Sequence, residues 1–192
     1  MARVEIKIPD WLDKICAWPV MVYRKCKYGY SFRRINLGEG EWTTVDTEDY
    51  YKFGKHRWYL KGSNGKFYAA REFKVDSERT TTLRLHREIM NAPAGLVVDH
   101  KNGISLENRR ANLRLATHAQ NMYNKAKTKS KTSSRFIGVC FVKAVNKWEA
   151  KIYYQGKKIW LGYFDNEIDA AKAYDAAARK YHGEFARLNF SE

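Results

Sequence analysis

The chain is short of the residues that staple small secreted proteins. It has three cysteines in 192 residues, Cys16, Cys26 and Cys140, odd in number and far apart. They form no CxxC pair and no Cys/His set of zinc-ligand spacing, so neither a disulfide framework nor a structural zinc site is indicated. A reduced, intracellular setting is the expectation. Long apolar runs are missing as well. No stretch approaches the roughly 18 residues that a membrane helix needs, and no signal-peptide core or lipidation motif is visible, which predicts no membrane partner. Negative charge is scarce: 21 Asp and Glu stand against 36 Lys and Arg, a formal charge of +15. A surplus of that size attracts polyanions, nucleic acid first among them.

Apolar residues are not scarce. They make up 44% of the chain and include six Trp, thirteen Tyr and nine Phe, enough to build cores and to argue against wholesale disorder. The length suits one large domain or two small ones.

Patterning divides the chain into four. Residues 1–40 read as an aromatic and basic N-terminal extension, with a short helical turn opening at Asp10. Two short strands are expected around Gly29, within 22–34. Their alternating aromatic and basic residues suit a nucleic-acid surface or a half-buried hairpin equally. Residues 41–125 mix strands at 42–45, 58–60, 67–73 and 81–85 with a helix start at Asp46; Gly62-Ser63-Asn64-Gly65 is a turn signal. Residues 126–134, Ala-Lys-Thr-Lys-Ser-Lys-Thr-Ser-Ser, hold no apolar side chain larger than Ala and read as a basic linker suited to a phosphate backbone. Residues 135–192 show three strand-like runs, 136–142, 148–154 and 158–163. A helix over about 167–182 comes next, capped by Asp165 or Asn166 and by Gly183, with a stripe of Ile168, Ala171, Tyr174, Ala178 and Tyr181.

One stretch carries chemistry. Val97–His100 reads as a strand containing Asp99-His100, Asn102-Gly103 as turn chemistry, and Leu113–Ala116 as a second strand entered from Asn112. Thr117-His118-Ala119-Gln120 matches a capping box, which places Asn121 in the first turn of a helix and makes the whole a ββα unit. Phosphodiester cleavage needs a base, a cation to neutralise developing charge, and a group that orients the base. Histidine titrates in the right range for the base, and a carboxylate with an amide oxygen and water suits a hard cation.

The sequence here resembles the HNH endonucleases of the phage homing type. The likeness rests on Asp99-His100, Asn112 twelve residues after His100, Asn121 nine further on, and the upstream Leu85-His86-Arg87-Glu88-Ile89-Met90-Asn91-Ala92-Pro93. It implies that His100 is the general base and that Asp99 and Asn121 are ligands of Mg²⁺ or another divalent cation such as Mn²⁺. Asn112 would orient the His100 ring. His118 and His86 are accessory candidates, and His86 can equally be a packing residue.

A second resemblance covers 135–190. Phe136-Ile137-Gly138-Val139, Lys147-Trp148-Glu149-Ala150-Lys151-Ile152, Trp160-Leu161-Gly162-Tyr163-Phe164, the Ala-rich run from Ala170 and Leu188-Asn189-Phe190 follow the plant ethylene-response-factor (APETALA-type) DNA-binding domain. The likeness implies a three-stranded antiparallel sheet packed on one helix and laid in the major groove. Arg135, Lys143, Trp148, Lys151, Tyr153, Lys158 and Trp160 become DNA-contact candidates. Ile137, Cys140 and Val142 stand where the plant domains place arginines, so readout by that strand is in question.

The expected fold is α+β, a ββα-metal (HNH) nuclease core joined by a basic linker to the C-terminal sheet and helix. The expected function is site-specific cleavage of double-stranded DNA, with no small-molecule cofactor. A monomer would nick and a homodimer could cut both strands, in the cytoplasm of a bacterial or phage-infected host cell. A DNA-binding regulator with a degenerate ββα unit is the alternative. An RNA-binding role fits the charge but leaves the Asp-His-Asn-Asn spacing unexplained.

Overall fold

The computed structural model describes residues 9–63, 65–127 and 133–190. The chain divides into two compact units, Met1–Ala92 with Ile104–Arg114, and Pro93–Gly103 with Leu115–Glu192. No helix among the described residues is long and apolar enough to cross a membrane.

The first unit opens with α1 (Asp10–Tyr28), where the sequence suggests only a turn of helix and then strands. Val22 and Tyr23 favour strands locally, but tertiary contacts decide otherwise. Both carboxylate oxygens of Asp13 accept from Arg33 Nη2, at 2.9 and 3.1 Å, and Arg24 donates to the Phe32 carbonyl. Gly29 then ends the helix at φ +81°, a left-handed conformation open to glycine at no steric cost, with its N–H bonded to the Lys25 carbonyl. The expected strand pair is therefore one strand, β1 (Arg33–Gly38), paired antiparallel with β2 (Glu41–Val45). The described residues 9–40 fall in the same unit as residues 41–92.

Asp46 precedes α2 (Thr47–Phe53), after which β3 (Tyr59–Ser63), β4 (Lys66–Lys74) and β5 (Thr80–Arg84) form an antiparallel meander. A short helix, α3 (Leu85–Ile89), comes next, and Leu85 and Ile89 are fully buried. The segment 104–112 is tied to β2. Thr44 donates to the Leu106 carbonyl at 2.9 Å and accepts from the Asn108 N–H at 2.7 Å. The Asn108 amide donates to Thr43 Oγ1 at 2.7 Å, and both residues are fully buried. Nearby, Arg110 grips the buried Asp49 of α2 through two nitrogens at 2.7 and 2.9 Å, which raises the Arg110 pKa.

Strand β6 (Val97–His100) and helix α4 (His118–Tyr123) belong to the second unit, and β7 (Leu113–Ala116), the strand paired with β6, is divided between the units after Arg114. Both strands match their expected bounds. Residues 128–132 of the expected linker lie outside the described residues; its last two are held, since Ser134 Oγ accepts from Phe136 N and Ser133 Oγ from Phe141 N. Then come β8 (Val139–Val142), β9 (Lys147–Tyr154) and β10 (Lys157–Phe164), antiparallel in the order β10-β9-β8. Helix α5 (Glu167–His182), N-capped by Asn166, packs on this sheet through Ala171, Tyr174 and Ala178; Ile168, expected in that stripe, is exposed. The C-terminal segment closes the module: both oxygens of the buried Asp175 accept from Asn189 N, and the Asn189 side chain bonds both backbone groups of Ile137.

Candidate active site

The site begins as a short buried strand. Val98, Asp99 and His100 of β6 are 8%, 5% and 7% exposed, so a carboxylate and an imidazole each sit with little water around them. Ionised groups are kept in such places only when other groups solvate them. The Asp99 carboxylate is met by the side-chain amide of Asn124, whose nitrogen lies 3.0 Å from Oδ1 and 3.1 Å from Oδ2. The same nitrogen is 2.9 Å from the His100 carbonyl and 3.3 Å from that of Lys101.

Asn124 comes from the end of α4, which packs against β6. The capping box forms as expected: Thr117 Oγ1 accepts from Gln120 N at 3.2 Å, and Gln120 Oε1 accepts from Thr117 N at 2.8 Å. This start fixes the helical phase and places Asn121 one turn in, half-buried, its N–H bonded to the Thr117 carbonyl. The far end of α4 is held by Tyr123, which stacks flat on His182 of α5 at 3.8 Å and 2° and accepts from Gln155 N.

Asp99, His100 and Asn121 thus fall in one unit, and Asn112 is assigned to the other. Asn112 closes a 3-10 turn (Arg110–Asn112) just before β7, is 8% exposed, and donates to the Glu107 carbonyl at 2.8 Å. His118 is exposed. His86 is buried at 4% against the ring of Tyr68, 5.3 Å away, in a packing position.

The donor chemistry decides what kind of cation the site could take. No cluster of three or more His, Cys, Asp or Glu occurs among the described residues, so an all-protein cage is not on offer there. A magnesium-like ion does not ask for one. It keeps several waters and takes one or two protein oxygens with substrate phosphates. The Asp99 carboxylate and the Asn121 amide oxygen fit that mode.

The C-terminal sheet has a helix face and an open face. Strand register puts Phe141, Trp148 and Phe164 on the helix side, where Trp148 packs edge-on to Phe141 at 5.0 Å. The open face carries Tyr153 and Trp160, both more than half exposed, and Trp160 stands edge-on to Tyr163 at 5.4 Å. Lys151 and Lys158 are also there, but neither is free. Lys151 Nζ lies 2.8 Å from Glu149 Oε2, and Lys158 Nζ 3.3 Å from Oε1. Hydrogen bonding from Lys151, with help from Cys140 and Lys158, pulls the Glu149 pKa down to about 2. Arg135, its guanidinium 4.9 Å from the Phe136 ring, and Lys143 are exposed beside this sheet.

Sequence reasoning missed Asn124 and Glu149. Asn124 lies three residues after Asn121, a same-face helical spacing that marks it as a neighbour of the site. Glu149 alternates with Lys151 and Tyr153 along β9, which places it on their face.

An HNH endonuclease family model matches residues 91–123. An uncharacterised HNH endonuclease of Acanthamoeba polyphaga mimivirus is 30% identical over 82% of this chain and 80% of its own length. Plant proteins match the C-terminal part. An AP2/ERF and B3 domain-containing transcription repressor of Arabidopsis thaliana is 30% identical over 60% of this chain, and an APETALA2-like protein of Oryza sativa is 44% identical over 31%. The chain spans about a quarter or less of these plant relatives, 26% and 14% of their lengths. A strand bearing Asp-His, a capped helix bearing Asn, and the mimivirus relative matched along most of both chains place this protein in the HNH endonuclease family.

Proposed function

We propose that the protein is a site-specific endonuclease of the homing type that hydrolyses phosphodiester bonds in double-stranded DNA. The carrying observation is the buried Asp99-His100 strand packed on the helix that presents Asn121 and Asn124. His100 takes the proton from the attacking water, and Asn112 orients its ring. Asp99 and Asn121 would hold a divalent ion, Mg²⁺ or Mn²⁺, which would neutralise charge on the phosphate and the leaving oxygen. Burial of the strand limits bulk water around the base. The C-terminal sheet keeps the DNA in place through Arg135, Lys143, Tyr153 and Trp160. The plant relatives' AP2/ERF name and the net charge of +15 support that role.

One such site per chain makes nicking the expectation for a monomer, and a homodimer would cut both strands. Supercoiled plasmid incubated with the protein and Mg²⁺ is expected to relax to nicked circles, and EDTA is expected to stop the reaction. DNA bound without any nick in Mg²⁺ or Mn²⁺ would point instead to a DNA-binding regulator.

A further inference from the structure

No step of the nuclease reading is assigned to Asn124, yet its side chain is buried against the site. It is 7% exposed and sits at the C-cap of α4 with φ −81° and ψ 2°. Four acceptor oxygens surround its amide nitrogen, namely both carboxylate oxygens of Asp99 and the carbonyls of His100 and Lys101, at 2.9 to 3.3 Å. An NH₂ group has only two hydrogens. One is shared by the two carboxylate oxygens, and the other by the two carbonyls. A single nitrogen therefore ties the side chain of Asp99 to the backbone that carries His100.

The amide is itself well fixed. Helix α4 has only six residues, too few to be stable alone, and tertiary contacts at both ends hold it. The capping box anchors the start, and the Tyr123–His182 stack anchors the last turn, one residue from Asn124.

We propose that Asn124 is a positioning residue for the HNH reaction: it locks the Asp99 carboxylate and the end of β6 in the geometry that accepts the divalent ion. This rests on the assignment of Asp99 as a metal ligand. Groups that orient a ligand from behind typically contribute ten- to a hundredfold in metal affinity.

The test uses the full chain with His100→Ala, so that bound duplex is not consumed, and follows free Mn²⁺ by electron paramagnetic resonance as the protein–DNA complex is titrated. Asn124→Leu keeps the branched outline and removes the donor; Asn124→Ser keeps one donor on a shorter arm. The expected order of Mn²⁺ affinity is Asn, then Ser, then Leu, with Leu weaker by about ten- to a hundredfold. DNA affinity in EDTA is expected to stay within about twofold. Equal Mn²⁺ affinity in a folded variant overturns the proposal, and so does a loss that merely tracks a loss of DNA binding. Where the Leu variant does not fold, the Ser variant decides by the same two criteria. A parent complex that takes up no Mn²⁺ overturns the metal assignment of Asp99 itself, and the positioning role with it.

Discussion

At the scale of residues, a buried polar side chain is tolerated when its partners are in place, and this protein uses asparagine repeatedly for that purpose. Asn108 is fully buried and bridges 104–112 to Thr43 of β2. Asn108→Ala leaves the Thr43 hydroxyl short of a partner and opens a small void. We expect it to lower the unfolding free energy by about 2 kcal/mol, read by urea denaturation. Asp99, His100, Asn112 and Asn121 were legible as candidates because their spacing is short-range and their residue types carry chemistry. The work of Asn108 and Asn124 was not, because it depends on what packs against them, and a lone Asn reads as a turn residue.

At the scale of elements, the C-terminal module gives two sharp expectations. Gly138 has φ +74°, and a Cβ there would lie 2.0 Å from the Tyr174 ring and 2.6 Å from the Lys151 carbonyl. Gly138→Ala combines backbone strain with overpacking and should destabilise the module by on the order of 3 kcal/mol, seen as a lowered Tm in its melting transition. Glu149 sets an acid dependence. Its pKa is depressed in the folded chain to about 2, so its stabilisation is present above the ordinary carboxylate range near pH 4.5. That contribution is lost as pH falls from about 4.5 through about 2. Glu149→Gln should flatten this part of the acid limb in a denaturation series at stepped pH. It also releases Lys151 and Lys158 toward phosphate, so the slope of log affinity for DNA against log salt should steepen by up to about two. The strands Val97–His100 and Leu113–Ala116 and the helix Glu167–His182 were readable from local pattern and capping. The helix over Asp10–Tyr28 was not: Val22 and Tyr23 favour strands, and the contacts that override them come from Arg33 and Phe32, beyond the helix.

At the scale of the molecule, composition argued for a polyanion partner, and the division of the chain refines where the chemistry lies. The β6 strand and α4 group with the C-terminal module through contacts such as Tyr123 on His182, and 104–114 group with the N-terminal unit. Tyr123→Ala should therefore slow cleavage at saturating DNA by about tenfold or more while the sheet still binds, measured as a single-turnover rate. The central claim is that His100 is the base of a metal-dependent phosphodiester cleavage. Its most direct test is single-turnover cleavage of an end-labelled duplex in Mg²⁺ by the parent chain and by His100→Ala, at concentrations where gel shifts in EDTA show both fully bound. The account predicts that the variant binds like the parent and cuts at least about a hundredfold more slowly. A variant that cuts at the parent's rate once bound would contradict it.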